Sequence, residues 1–112
     1  MQVKSFTFNT FQENTYIVYD ETKECLIIDP GCYTDEEKNT LKKFITDMSL
    51  NPVKLVNTHC HIDHILGNKF VSEQWNIELY LHKADLPLLE SAGSISKTYG
   101  IKNYQKSPFP KH

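Results

Sequence analysis

One short stretch of the sequence carries a high density of side chains that bind metal ions. Residues 58–64 read Thr-His-Cys-His-Ile-Asp-His and hold three of the chain's five histidines together with one aspartate. Imidazole nitrogen and carboxylate oxygen are common ligands of zinc, iron and manganese near neutral pH. A pocket of neutral histidines without a metal would be a poorly satisfied polar cluster. The stretch therefore predicts a metal site.

The elements on either side of this stretch must aim its side chains. Residues 54–58 are apolar and β-prone before they turn polar, which predicts a buried strand. Apolar residues between positions 65 and 75 recur near helical spacing, which predicts a helix beginning around Asp63 or His64. The candidate ligands therefore lie on a strand-to-helix connection.

This placement groups the candidate ligands in two pairs. Residues two apart at the end of a strand project to the same side, so His59 and His61 can hold one ion while Cys60 points away. Asp63 and His64 follow the turn and can face the same cavity from another direction, which suits a second ion. The helical His-Glu-x-x-His pattern of zinc proteases is absent.

The first fifty residues predict a small sheet and one covering helix. Residues 3–8, 16–19 and 24–29 have strand character and are separated by polar turns, which indicates an antiparallel meander. Thr34 and Glu37 form a capping box, and the apolar residues that follow have the spacing of a helix with one buried face. Asn51-Pro52 should stop this helix before the strand that leads to the metal motif.

The remainder predicts a strand over residues 77–81 and a short helix over 83–91. Residues 92–112 contain glycines and prolines and are expected to form a loop or a flexible tail. No repeat, low-complexity tract or linker divides the chain, so residues 1–112 are expected to form a single domain.

The pattern His-x-His-x-Asp-His after an apolar strand resembles the signature of the metallo-β-lactamase superfamily. Residues 12–16, Gln-Glu-Asn-Thr-Tyr, and 25–31, Cys-Leu-Ile-Ile-Asp-Pro-Gly, resemble the glyoxalase II-like hydrolases of that superfamily in order and spacing. The resemblance covers nearly the whole chain. It implies an α/β (α+β) fold, the metallo-β-lactamase-like αββα sandwich. This chain would form its first half, a mostly antiparallel sheet with covering helices.

The resemblance also implies roles for individual residues. His59 and His61 would be ligands of a first metal, and Asp63 and His64 ligands of a second. Asp63 would also be catalytic, orienting a metal-bound hydroxide that attacks a thioester or related acyl substrate. Asp29 would buttress the site by accepting the outer N–H of a ligating histidine, although an aspartate before Pro-Gly is also common in turns. Two zinc ions are expected in the complete site, and iron and manganese accept the same ligands.

The remaining family ligands are expected downstream of the last residue of this chain. His82 and His112 lack the sequence context of those ligands. His82 is expected to be structural or solvated, and His112, the last residue, is expected to be disordered. The chain therefore resembles the N-terminal half of the fold, for which we expect weak metal binding and little turnover alone. Because half a sandwich exposes an apolar face, a complementary partner is expected, either another copy or a complementing C-terminal half.

Several alternatives to a hydrolase remain open. A persulfide dioxygenase-like oxidoreductase of the same superfamily would use a single iron held partly by the same histidines. A flavo-diiron protein is a weaker match, because its pattern resembles this one but has glutamate in place of His61. A non-catalytic metal-binding or assembly half-domain would keep the motif without the chemistry.

Composition excludes several other classes. Hydrophobic residues make up 39% and charged residues 23%, the formal net charge is −2, and no apolar run approaches the roughly 20 residues of a membrane-spanning helix. The 12 basic residues are all lysine, which disfavours nucleic-acid binding because arginine usually provides bidentate phosphate recognition. Three cysteines without a Cys-x-x-Cys pair, and no signal-peptide core, favour a cytoplasmic location.

Overall fold

A computed structural model describes residues 1–58, 60–101, 105–108 and 110 of the chain. Its strands are β1 (Gln2–Phe8), β2 (Glu13–Tyr19), β3 (Glu24–Ile28), β4 (Asn51–Val56) and β5 (Leu79–Tyr80). Its α-helices are α1 (Asp35–Asp47), α2 (Ile62–Ile65), α3 (Asn68–Trp75), α4 (Leu86–Glu90) and α5 (Ala92–Thr98). A 3₁₀ turn, Lys83–Asp85, precedes α4.

The five strands form one sheet in the order β1-β2-β3-β4-β5. The first three strands pair antiparallel, which confirms the predicted meander. Strand β4 pairs parallel with both β3 and β5. The reason is that α1, and then α2 with α3, return the chain to the same end of the sheet, as parallel neighbours require. The sheet is therefore mixed, and antiparallel pairing is confined to its first three strands.

One face of the sheet carries a continuous apolar row. Ile17 pairs with Ile27, Ile27 with Leu55 and Leu55 with Leu79, so four strands each contribute one side chain. All four are fully buried and belong to the same core as the buried residues of α1. This row fixes the register that carries the ends of β3 and β4 to one edge.

The opposite face carries a second row with different burial. Tyr16 pairs with Ile28, Ile28 with Val56 and Val56 with Tyr80. These side chains are half-buried or exposed, with Tyr16 36% exposed. An apolar row of this kind on a sheet face normally packs against another layer.

Helix α1 begins with the predicted capping box. The Thr34 hydroxyl accepts the Glu37 N–H, and the Glu37 carboxylate accepts the Thr34 N–H. The expectation that Asn51-Pro52 precedes the next strand was wrong in detail, because β4 already begins at Asn51. Pro52 is tolerated there because the strand is only starting to pair.

The single helix predicted from about Asp63 to Trp75 is divided into α2 and α3. The Gly67 N–H donates to the Pro30 carbonyl at 2.7 Å. A Cβ on Gly67 would overlap the Cys32 sulfur and lie 2.9 Å from the Pro30 carbonyl oxygen. The segment that follows β3 therefore packs directly against Gly67, between α2 and α3, where only glycine fits.

The C-terminal expectations needed two corrections. The strand predicted over residues 77–81 is limited to β5, because only Leu79 and Tyr80 pair with β4. The loop predicted for residues 92–112 was wrong for Ala92–Thr98, which form α5 with buried Ala92 and Ser96. Residues 102–104, 109, 111 and 112 of that predicted tail lie outside the described residues. In the part of the chain that the structure describes, no helix has the length and apolarity needed to cross a membrane.

Candidate metal centre

The predicted ligand segment runs from the end of β4 into α2, as the sequence indicated. His59 lies outside the described residues. His61 is exposed and has extended backbone angles at the N-cap of α2, and Asp63 and His64 are half-buried within that helix. The chain turns between His61 and Asp63, so His61 reaches the site from a different direction than Asp63 and His64.

His64 is the central side chain of the described site. Its Nε2 lies 3.5 Å from Asp63 Oδ2, and its Nδ1 lies 3.1 Å from Asp29 Oδ2. The rings of His61 and His64 have centroids 6.3 Å apart. Asp29, His61, Asp63 and His64 are therefore brought together, and the two predicted ligands of the second metal have neighbouring donor atoms.

Asp29 is held in place by the residue that begins the ligand segment. One carboxylate oxygen accepts the Thr58 N–H at 2.7 Å, and the other accepts the Thr58 hydroxyl at 2.5 Å. Asp29 is 3% exposed and has a φ of 52°, a left-handed conformation that aspartate tolerates better than most residues. Its carboxylate thus joins the end of β3 to the metal motif, which goes beyond the role of a turn residue.

Glu13 is a member of the site that the sequence did not assign. Its side chain is buried, and its Oε1 lies 3.4 Å from His64 Nδ1. The sequence did contain a signal, because Glu13, Thr15 and Ile17 alternate onto the core-facing side of β2. A glutamate on a core face requires a polar partner, and His64 lies beside it.

Thr15 links Glu13 to the end of β3. Its hydroxyl accepts the Gly31 N–H at 2.9 Å and lies 2.9 Å from the Asp29 carbonyl and 3.0 Å from Glu13 Oε2. One hydroxyl hydrogen cannot serve both oxygens fully, and a protonated Glu13 removes this competition. Burial, reinforced by the charges of Asp29 and Asp63, raises the pKa of Glu13 to about 8 despite the Thr15 hydrogen bond. We call Glu13, Thr15, Asp29 and Gly31 the polar cluster.

His64 and the carboxylates around it are donor groups of the types that hold metal ions. Glu13, Asp29 and His64 also offer three atoms within 4.8 Å of one another on the Nδ1 side. On this side both Asp29 oxygens accept hydrogen bonds from Thr58, and Asp29 Oδ2 lies 3.1 Å from His64 Nδ1. On the other side, Asp63 Oδ2 lies beside Nε2, and imidazole with carboxylate is a donor pair that zinc accepts.

A cavity of about 650 Å³ opens beside the ligand segment. His61, Ile62 and Asp63 line one side of it, and residues of the β1–β2 turn and of α4 and α5 line the other. The rings of Phe11 and Tyr99 meet edge to face with centroids 5.5 Å apart. We call this second side the apolar wall, formed by Phe11, Leu88, Ile95 and Tyr99.

The other candidate ligands have different surroundings. Cys60 is buried, and burial raises the pKa of its thiol to about 11, so it is protonated near neutral pH. The exposed His82 accepts the Ala84 N–H at its Nδ1, a local contact within the 3₁₀ turn. His112 lies outside the described residues.

Comparison with known sequences identifies related proteins. The sequence model of the metallo-β-lactamase superfamily matches residues 8–110. The probable metallo-hydrolase YqgX of Bacillus subtilis is 32% identical over 92 residues, covering 82% of this chain and 41% of that protein. The hydroxyacylglutathione hydrolase GloC of Haemophilus influenzae is 28% identical over 104 residues, covering 92% of this chain and 47% of that protein.

Comparison with solved structures supports the same fold. TTHA1623 in a di-iron-bound form matches with a TM-score of 0.81 and 33% sequence identity, covering 97% of this chain and 52% of that one. The fold predicted from the sequence motifs is thereby confirmed. The chain spans about half the length of the relatives it matches.

Proposed function

Because the chain belongs to the metallo-β-lactamase superfamily, whose members bind metal ions, we propose that it provides the metal-binding half of a glyoxalase II-like hydrolase. The substrate would be a thioester or a related acyl compound. The observation that carries this proposal is the arrangement of His64, with Nε2 beside Asp63 and Nδ1 beside Asp29. The likeness to a hydroxyacylglutathione hydrolase supports the substrate class.

The proposed ligands are those that the motif implies. His59 and His61 would hold a first ion, and Asp63 and His64 a second. Zinc is our proposal for both ions, although a related structure contains two irons and manganese accepts the same donors. Zinc bound there would supply a Lewis acid that lowers the pKa of water from about 15.7 to about 7 and polarises an acyl carbonyl.

The residues of the chain itself would prepare the site for this chemistry. With an ion on Nε2, Asp29 would accept the proton at His64 Nδ1, which lies 3.1 Å from its Oδ2, and this would fix the tautomer. Thr58 holds Asp29 with two hydrogen bonds. Asp63 has the additional catalytic role of orienting the attacking water. A thiolate leaves without strong protonation, so no general acid is required.

The cavity beside Asp63 supports an acyl substrate. Its apolar wall offers Phe11, Leu88, Ile95 and Tyr99 to a carbon chain, while His61 and Asp63 lie at its other side. An apolar pocket with a few polar groups on one side is the usual form of a small-molecule site. The acyl carbon chain would lie along the wall, with its carbonyl towards Asp63.

We propose that the chain works with a partner layer. The incompletely buried row formed by Tyr16, Ile28, Val56 and Tyr80 is suited to packing against a second sheet. Either a complementing C-terminal half or a second copy of the chain would cover it. Light scattering tests this, because a monodisperse monomer without binding of an exposed-surface dye would contradict it.

We also propose a cytoplasmic location, since Cys25, Cys32 and Cys60 are free thiols.

Metal content per chain, measured by elemental analysis together with thioester hydrolysis, tests the proposal. The wild type and the double variant His59→Ala/His61→Ala would be compared, alone and with a complementing half supplied. For the wild-type chain alone we expect weak zinc binding and little turnover. Both zinc binding and turnover should increase when the complementing half is supplied. The double variant should lose both. Zinc without turnover even in the complemented protein would favour a binding module. Iron with oxygen consumption would favour a dioxygenase.

A further inference from the structure

Asn9, in the turn between β1 and β2, contacts the metal segment from a distant part of the sequence. Its side-chain Nδ2 donates to the Asp63 carbonyl at 2.9 Å and to the Gly31 carbonyl at 3.0 Å. Each of the two amide hydrogens therefore has its own acceptor. One side chain thus joins the hairpin turn, the segment after β3 and the first turn of α2.

The remaining polar atoms of Asn9 are also satisfied. Its Oδ1 accepts the Phe11 N–H at 2.8 Å, and its backbone N–H donates to Glu37 Oε2 at 2.7 Å. The other oxygen of Glu37 accepts the Tyr33 N–H at 2.8 Å, so the capping residue of α1 also anchors the turn. A side chain with two donors and one acceptor in this position must be an amide.

The backbone of Asn9 suits the same residue type. Its φ is 54°, in the left-handed region that asparagine adopts more readily than most residues. Among residues that accept this conformation, glycine lacks the amide and aspartate lacks the donors. The turn and the contacts thus favour the same residue.

The Asp63 carbonyl requires such a donor because its helical partner is used elsewhere. In a continuous helix the Gly67 N–H would donate to the Asp63 carbonyl four residues earlier. Gly67 instead donates to the Pro30 carbonyl, because the helix breaks there. The Asn9 amide provides the hydrogen bond in its place and fixes the peptide group of a proposed ligand.

We propose that Asn9 is a positioning residue for the metal centre, holding Asp63 so that its carboxylate faces His64 Nε2. This inference rests on the proposed function, because it takes Asp63 and His64 to be ligands. Asn9 touches neither metal nor substrate and acts only through the Asp63 backbone. The β1–β2 turn is thereby part of the metal site, although it supplies no ligand.

The variant Asn9→Gly tests this role, because glycine keeps the left-handed turn and removes only the amide. Asn76→Gly is the matched control, since Asn76 has a φ of 53°, is exposed and caps α3 away from the motif. Affinity for Co²⁺ would be measured by titration, with the visible absorption of the bound ion as a report of its ligand geometry. Thermal unfolding would be followed on the same samples.

We expect Asn9→Gly to weaken Co²⁺ binding by about 10- to 100-fold and to change the visible spectrum, the range typical of residues that orient metal ligands. Asn76→Gly should retain both the wild-type affinity and the spectrum. Wild-type affinity and spectrum in a folded Asn9→Gly protein would overturn the inference. Absence of Co²⁺ binding by the wild type would instead overturn the proposed function.

If Asn9→Gly does not fold, hydrogen exchange in the wild type decides the question. Both Asn9 side-chain amide hydrogens should exchange more slowly than those of exposed Asn14, and addition of Co²⁺ should slow them further. Exchange at the rate of Asn14, with and without the ion, would overturn the inference.

Discussion

The polar cluster and the apolar wall both lie near Asp63, and they differ in how tightly they are packed. The polar cluster lies beneath the metal motif and consists of buried groups joined by hydrogen bonds of 2.9–3.0 Å around Thr15. The apolar wall lies beside the motif and includes two aromatic rings that remain 40% and 60% exposed, Phe11 and Tyr99. The polar cluster is fully packed, whereas the apolar wall is open to solvent.

The difference matches two separate demands of the proposed metal-dependent hydrolase. Ligands must be held to within a fraction of an ångström, which requires satisfied hydrogen bonds and close packing. A substrate wall can be looser, because apolar contacts have no strict direction. We therefore expect substitutions in the polar cluster to affect stability and metal binding together. Substitutions in the wall should affect mainly substrate binding, with little effect on stability.

The largest effect should come from Gly31→Ala. A Cβ at this position would overlap Glu13 Oε2 and lie 2.6 Å from the Asp63 carbonyl oxygen. Overpacking at such a site should reduce the free energy of unfolding by about 3 kcal/mol and weaken metal binding. Chemical denaturation and Co²⁺ titration would measure the two effects.

Gly93→Ala provides the matched control for this substitution. Gly93 lies within α5, and nothing lies within 4 Å of the position of its Cβ. Alanine favours a helix by up to about 1 kcal/mol relative to glycine, so stability should stay unchanged or rise. An equal loss of unfolding free energy in Gly31→Ala and Gly93→Ala would show that the polar cluster is packed no more tightly than the exposed position in α5.

A somewhat smaller effect is expected for Thr15→Val, which keeps the shape and removes the hydroxyl. The Gly31 N–H and the Asp29 carbonyl would lose a partner in a buried position. The free energy of unfolding should fall by about 2 kcal/mol. In the control Thr98→Val, an exposed hydroxyl on α5 is removed, and the change should stay within about 0.5 kcal/mol. Denaturant titrations that gave the same loss for both variants would contradict this difference.

A third prediction concerns the pH dependence of stability that arises from Cys32, which is fully buried against Gly67. Burial raises the pKa of its thiol from 9.0 to about 12. The unfolded chain loses this proton above pH 9, whereas the folded chain keeps it, so stability should fall as pH rises from 9 towards 12. By pH 10 the loss should be about 1.4 kcal/mol for this group.

The comparison of wild type with Cys32→Ala isolates this contribution. Alanine has no proton to lose, so the variant should lose less stability between pH 8 and pH 10 than the wild type. Denaturant titrations at several pH values would measure how steeply the free energy of unfolding of each protein falls with pH. Parallel slopes would mean that the Cys32 thiol reaches solvent in the folded protein.

The smallest effect on stability is expected in the wall. Phe11→Ala removes an edge-to-face pair whose rings are both partly exposed, so the free energy of unfolding should fall by less than about 1 kcal/mol. In a complemented, active protein the KM for thioesters with an apolar acyl group should rise several-fold, with kcat little changed. A large loss of stability, or an unchanged KM, would remove Phe11 from the proposed substrate wall.

The sequence was most informative where short-range spacing controls the structure. The meander of β1 to β3, the Thr34 and Glu37 capping box and the strand-to-helix position of the ligand segment were all predicted correctly. These features depend on alternation, turn chemistry and capping within a few residues. The break at Gly67 was missed, because it depends on packing against Pro30 and Cys32, more than thirty residues earlier.

What the sequence determined by itself is the set of groups available for chemistry, since residue types and their order in the motif indicate imidazole and carboxylate ligands. Only the tertiary structure decided which distant groups support them. Asn9 reaches Asp63 across 54 positions, and Glu13 reaches His64 from the core face of β2. The alternation along β2 indicates that Glu13 faces the core, but no local pattern identifies the partner of either residue, because the pairing of β2, β3 and β4 brings them to one edge of the sheet.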